Sequence, residues 1–210
     1  MDHLVIKRLE ETTFTLSEIV DLIHRAFEER LEQGIHFTCS DFTVEEYRNK
    51  IQNGIVLVAF DSDTNVLLGT TTFHIKQNAK NEIYGLNEFL AIHPQAKRKG
   101  VGSLLFQKEL EILKNSHADY ILSHTANKAH SSIAYHKKNG FRPIALRSFH
   151  GTDYYSYLFR YQITDRTVIH KAYHSKLFCF VRFMASSIQT RLIKKRDGSL
   201  TFLGRMLFTD

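Results

Sequence analysis

The sequence predicts an α/β fold: a mixed β-sheet flanked by helices, with a basic helical extension at its C-terminal end. Three observations lead there. Runs of β-branched residues alternate with segments of helical apolar spacing, and Thr-x-x-Glu capping signals and glycines mark their borders. A strand, a glycine-bearing loop and a helix also follow one another directly across residues 86–113.

VIKRLE, Val5 to Glu10, opens as a short strand. Thr15 and Glu18 then form a capping box, in which the threonine accepts from a free backbone N–H and the glutamate reaches back to the cap. Ile19, Leu22, Ile23, Ala26, Phe27 and Leu31 recur at helical spacing up to Gly34, which predicts a first helix. Thr43 and Glu46 repeat the capping signal ahead of Tyr47 and Ile51, a shorter helix ending near Gly54. Ile55–Phe60 and Val66–Ile75 read as strands joined by the turn DSDTN, and Leu86–Pro94 as another strand that the proline ends. Val101, Leu104, Leu105, Leu110, Ile112 and Leu113 mark a third helix. ADYILSHT holds a strand, SSIAYHKKNG a helix closed by Gly140, and FRPIALR and YYSYLFRYQI two final strands around HGTD. The resulting order is β-α-α-β-β-β-α-β-α-β-β, without internal repeat or low-complexity linker.

Composition narrows the function. An apolar fraction of 43% and a charged fraction of 24% are those of a globular protein. The two cysteines, Cys39 and Cys179, form no C-x-x-C pair, so neither a disulfide framework nor a zinc cage is suggested, and a reducing cytoplasm is the expected compartment. No export signal or membrane span is read. The net charge of +6 is unevenly distributed: residues 1–162 carry 19 Lys and Arg against 19 Asp and Glu, residues 163–210 carry 9 against 3. The main body is therefore neutral and the basic character belongs to the tail.

HPQAKRKGVGSLL, His93 to Leu105, places three consecutive cations before two glycines and the start of a helix. The first N–H groups of a helix lack intrahelical partners, glycine lets a ligand approach that backbone, and the dipole with Lys97, Arg98 and Lys99 adds positive potential. A diphosphate is the natural guest. Two other phosphate loops are excluded, because Gly102 is followed by Ser103 and Leu104 without the Walker lysine, and Leu105 stands where a dinucleotide fingerprint needs a third glycine.

LNEFLAIHPQAKRKGVGSLLF resembles the strand, loop and helix of the GNAT superfamily, the acyl-CoA-dependent N-acyltransferases, whose loop is [QR]-x-x-G-x-[GA]. Lys97 stands where that family has Gln or Arg. YHKKNGF, Tyr135 to Phe141, is similar to the family's Y-x-K-x-G-F, and the resemblance covers residues 4–162. The domain division it suggests is 1–162 for an N-acetyltransferase domain and 163–210 for the basic extension.

The resemblance implies acetyl-CoA, or a close acyl-CoA, as cosubstrate and a primary amine, small-molecule or peptide, as acceptor, with no metal. Leu90 and Ile92 would pair with the pantetheine arm, Lys97, Arg98, Lys99, Gly100, Val101, Gly102 and Ser103 would surround the diphosphate, and a backbone N–H near Leu90 would stabilise the oxyanion. Glu88 is the candidate base, read from the two-residue period as sharing a strand face with Leu90 and Ile92. A surface carboxylate is the alternative, and His93 is read as part of the turn. Family register favours His136 as the acid that protonates the thiolate, whereas chemistry favours Tyr135, about 100° away on the helix. Asn127 is a candidate cofactor contact or a helix cap. His36, Phe37, Tyr154 and Tyr155 line the acceptor pocket or belong to core and loops. Neither cysteine has a catalytic neighbour in the sequence, so direct attack in a ternary complex is expected rather than a covalent enzyme intermediate. An inactive acyl-CoA-binding sensor or scaffold is the alternative of the same fold.

In the tail, Ile169, Ala172, Tyr173, Leu177, Phe180, Val181, Met184 and Ile188 recur at helical spacing, with Lys171, Lys176, Arg182 and Arg191 largely off the stripe. The first expectation is a helix packing this stripe on the catalytic domain or on a second copy, as a homodimer. The second is a peripheral contact with an anionic membrane or a partner surface. Nucleic acid is disfavoured, since no recognised binding module accompanies the charge. KKRDGSLTFL reads as a turn followed by a short strand.

Overall fold

The computed structural model describes residues 3–149, 152–196 and 199–201. The elements are β1 (Leu4–Arg8), α1 (Leu16–Glu32), α2 (Val44–Lys50), β2 (Ile55–Asp61), β3 (Val66–Gln77), β4 (Ile83–Ile92), α3 (Val101–Asn115), β5 (Tyr120–Ala126), α4 (His130–Lys138), β6 (Arg142–Ser148), β7 (Tyr155–Gln162), α5 (Val168–Tyr173) and α6 (Lys176–Ile193). Through β7 this is the expected order. The chain forms two compact units, residues 1–118 and 119–210.

In the first unit β1, β2, β3 and β4 pair successively and antiparallel. Both capping boxes form: Thr15 accepts from the N–H of Glu18 and Thr43 from that of Glu46, and each glutamate accepts from the backbone of its cap. Gly34 closes α1 with a φ of 69°, a left-handed conformation that costs an L side chain more than glycine. Ile19, Val20 and Ile23 of α1 and Tyr47 of α2 pack with Val58 and Ala91 on one face of the strands. Helix α3 covers the other face, and two glycines let it approach. A Cβ at Gly69 would lie 3.2 Å from Leu105 Cδ1, and one at Gly85 only 2.5 Å from Leu113 Cδ1. The DSDTN turn is held by Asp61, whose carboxylate accepts from the N–H groups of Asp63 and Thr64.

The second unit holds β5, β7 and β6, paired antiparallel with β7 in the centre. The Arg160 guanidinium lies between the rings of Tyr120 and Tyr173, 3.6 and 3.8 Å from their centroids. His150 and Gly151 of the HGTD turn lie outside the described residues.

The tail departs from expectation in two ways. It forms two helices, because Ser175 ends the first run and caps the second by accepting from the N–H of Phe178. The apolar stripe of the second helix also faces solvent, with Leu177, Phe180, Val181, Met184 and Ile188 all exposed. The inward side combines apolar contacts, Cys179 with Ile144 and Phe183 edge to face on Tyr157, with hydrogen bonds to β6. Ser186 Oγ donates to Leu146 O at 3.2 Å and accepts from Leu146 N–H at 3.2 Å, and Thr190 Oγ1 donates to the same carbonyl at 2.8 Å. Strand β6 has no strand neighbour beyond it among the described residues of this unit, and an open edge leaves backbone groups unpaired. Among the described residues after α6 the pairing is an isolated bridge, Lys194 with Leu200, and the rest of the expected strand falls at residues 202 and beyond, outside the described residues.

Candidate active site

Strand β4 carries a bulge that reorganises the expected site. Thr72 opposes Glu88 and Thr70 opposes Ala91, so one extra residue is accommodated in β4, with Phe89 in the left-handed region at φ 49°. Opposed residues share a face, and Thr70 and Thr72 point the same way. Glu88 therefore shares a face with Ala91, on the α1 and α2 side, whereas Ile92 opposes Gly69 on the α3 side. The assignment of Glu88 to the face of Ile92 is thereby corrected, since a strict two-residue period fails across a bulge.

Glu88 Oε2 instead lies 3.1 Å from His74 Nδ1, with side chains 27% and 11% exposed, so the carboxylate is reachable and the imidazole largely enclosed. Gly54 makes room for that ring, since a Cβ there would stand 2.8 Å from His74 Nε2. Sequence reading missed His74: its pairing with Glu88 depends on a cross-strand register that no local spacing encodes.

The loop after β4 is tightly wound. His93 accepts through Nδ1 from the N–H of Gln95 as part of a short 3-10 turn, Pro94–Ala96, which agrees with its reading as a turn residue. Arg98 and Gly100 both adopt positive φ, 64° and 88°. Gly100 is the N-cap of α3 and has no side chain with which to cap it, and no acid lies in the first turn of the helix. Arg98 and Lys99 are exposed, while the Lys97 ammonium is engaged 2.6 Å from Glu29 on α1 and holds that carboxyl below the usual carboxylate range. Lys97 thus ties the loop to α1. A helix start reached through glycine, beside two exposed cations and without an acidic residue in its first turn, fits a diphosphate.

Behind the loop, α3 and β4 share a buried polar contact. Asn87 Nδ2 donates to Glu109 Oε2 at 2.6 Å and to Thr71 Oγ1 at 3.0 Å. Glu109 is fully buried, its Oε1 has no partner, and burial pushes its carboxyl up to about 8, opposed by the Asn87 hydrogen bond. Burial therefore favours its protonated form near neutral pH.

In the second unit His136 is enclosed. Its Nδ1 lies 2.7 Å from Ser132 O, a pure acceptor, so Nδ1 carries the proton and Nε2 accepts from Ser123 Oγ at 2.9 Å. The ring stacks on Phe159, and burial pulls its pKa down to about 4. Tyr135, half-buried, meets His136 edge to face. Ala129, not Asn127, is the N-cap of α4. The Asn127 N–H donates to Tyr155 O at 2.8 Å, and its side-chain Oδ1 is buried without a partner. Tyr155 Oη donates to Lys194 O, and Tyr154 is buried. In the first unit, His36 is exposed and hydrogen-bonded to Asp41, and Phe37 packs edge to face on Phe27.

Both thiols are buried; desolvation raises Cys39 to about 12 and lifts Cys179 above its ordinary value. Neither offers a thiolate near neutral pH.

Residues 16–141 match the acetyltransferase (GNAT) family. A mycothiol acetyltransferase from Beutenbergia cavernae is 25% identical over 127 residues, 60% of this chain but 41% of that protein, so the chain matches about two fifths of that relative's length. Among solved structures, the NatC complex bound to Gag peptide and CoA superposes with a TM-score of 0.62 at 14% identity, over 77% of this chain and 99% of the other. A putative acetyltransferase from Salmonella typhimurium with its cofactor acetyl-CoA gives 0.58 at 12% identity, over 79% and 97%. The family match takes in more than half of the sequence and includes the bulged strand, the glycine loop and α4: the chain belongs to the acetyltransferase (GNAT) family.

Proposed function

We propose that this protein is an N-acetyltransferase that moves an acetyl group from acetyl-CoA to a primary amine by direct attack in a ternary complex. The observation that carries this reading is the start of α3, where Gly100, in a left-handed conformation, leads into an acid-free first turn beside the exposed Arg98 and Lys99. The backbone N–H groups of that turn would hold the diphosphate, with Arg98 and Lys99 adding charge from outside. Leu90 and Ile92 would supply main-chain groups to the pantetheine arm. Bound there, acetyl-CoA supplies an activated acyl thioester. The solved relatives that carry CoA or acetyl-CoA support the same assignment.

An attacking amine must be neutral, and Glu88 is the proposed base. It is reachable, and His74 Nδ1 lies 3.1 Å from its carboxylate. For the proton that the departing thiolate needs, Tyr135 is the better candidate. His136 has both ring nitrogens occupied and remains neutral well below physiological pH. Asn127, with its buried unpartnered Oδ1, is kept as a cofactor contact. The inertness of both thiols supports direct transfer over a covalent enzyme intermediate.

The test is release of free CoA thiol from acetyl-CoA in the presence of a panel of primary amines. Amine-dependent release is expected. Tight acetyl-CoA binding without release for any amine would leave a sensor or scaffold in place of an enzyme.

A further inference from the structure

The outward face of α6 is the largest feature that the proposed chemistry leaves unused. Leu177, Phe180, Val181, Met184, Ile188 and Leu192 lie between 42% and 71% exposed. Their spacing of three and four residues sets them on one side of the helix, over about 22 Å of its length at about 1.5 Å per residue. The helix cannot roll to hide them, because the opposite side is fixed to β6 by Ser186 and Thr190. A continuous exposed apolar strip of this kind marks a surface that something covers.

Charge identifies what covers it. Residues 167–196 contain seven Lys and Arg and no Asp or Glu. Lys176, one turn before Phe180, and Arg191, one turn after Ile188, stand at the two ends of the strip, where their stems can lie along apolar surface with the charged heads outward. Beside Phe180, a cleft of about 430 Å³ has Phe141 and Phe183 on its walls and Lys137, Arg142 and Lys176 among its lining residues. A second copy of the chain would bring this acid-free basic helix against itself. An anionic lipid surface supplies both the apolar layer and the negative charge.

We propose that α6 docks this protein on a bilayer surface containing anionic lipid, its apolar strip entering the interface and its cations meeting lipid headgroups. The helix lies on the membrane and does not cross it: no described helix is long and apolar enough to span. The proposal is independent of the acetyltransferase reading.

The experiment is co-sedimentation of the full chain with vesicles of phosphatidylcholine alone and of phosphatidylcholine mixed with phosphatidylserine, at low and high salt. Binding at least about tenfold stronger to the anionic vesicles, weakened by salt, is expected. Ile188→Asp and the double change Lys176→Glu with Arg191→Glu should each lower it by about tenfold or more. All these side chains are exposed, so circular dichroism should confirm unchanged folding and thiol release should be unaffected. Absence of binding, or equal binding to both vesicle types, overturns the proposal. So does a stable dimer in sedimentation velocity that Ile188→Asp dissociates, since the strip would then be an interface between copies.

Discussion

Replacing Glu109 by glutamine tests the packing of α3 on β4, and the size of the effect follows from one buried carboxyl. In the folded protein this group titrates at about 8 instead of 4.5, because burial disfavours its charged form more than the Asn87 hydrogen bond favours it. In the unfolded chain it ionises near its ordinary value. Between those values the folded state holds a proton that the unfolded state has lost, so rising pH favours unfolding, by about 1.4 kcal/mol per pH unit. The stability is fully present below about pH 4.5 and falls until about pH 8, where the folded group also ionises. From about pH 5 to about pH 8 the loss from this group alone is about 3 kcal/mol or somewhat more. Glutamine can accept the Asn87 hydrogen bond and carries no titrating proton. Urea unfolding of both proteins at several pH values should give similar stabilities near pH 5 and an advantage for Glu109→Gln that grows to several kcal/mol near pH 8. A difference that does not change with pH would refute the argument, because it would mean that Glu109 titrates alike in both states.

Four further substitutions have expected outcomes. Gly102→Val, at the second position of α3, should weaken acetyl-CoA binding by about tenfold or more in calorimetry, since a branched side chain would crowd the amides proposed to meet the diphosphate. Glu88→Gln should lower turnover at neutral pH by about a hundredfold with acetyl-CoA affinity intact, in the range usual for a lost general base; undiminished turnover would demote Glu88 to a structural role. Tyr135→Phe should cut thiol release without loss of thermal stability, whereas His136→Ala should lower stability by about 3 kcal/mol through loss of its stacking on Phe159 and of its hydrogen bond with Ser123.

What could be read in the sequence was what depends on neighbouring residues. The Thr15 and Thr43 capping boxes and the turn into α3 at Gly100 each complete their geometry within a few positions, and each formed as expected. The bulge at Phe89 was not legible, because a non-glycine residue adopts a left-handed conformation there to satisfy pairing with β3. The faces of β4 and the meeting of Glu88 with His74 were lost with it. The inward side of α6 was missed for a different reason. Helical periodicity finds an apolar side but does not say which side packs, and here Ser186 and Thr190 turn inward because the β6 edge needs hydrogen-bond partners. Ser175 did carry a legible signal, a serine three residues before Phe178, but the continuous apolar spacing across it concealed the break.

The central claim is that the first turn of α3 grips the diphosphate of acetyl-CoA. Calorimetric titration of the folded protein with acetyl-CoA and, in parallel, with S-acetyl-pantetheine, which lacks the diphosphate and the nucleotide, tests it most directly. Saturable binding of acetyl-CoA and at least about a hundredfold weaker binding of the truncated thioester are predicted, consistent with charge-assisted contacts at a helix start. Equal affinity for the two, or no binding of acetyl-CoA, would contradict it.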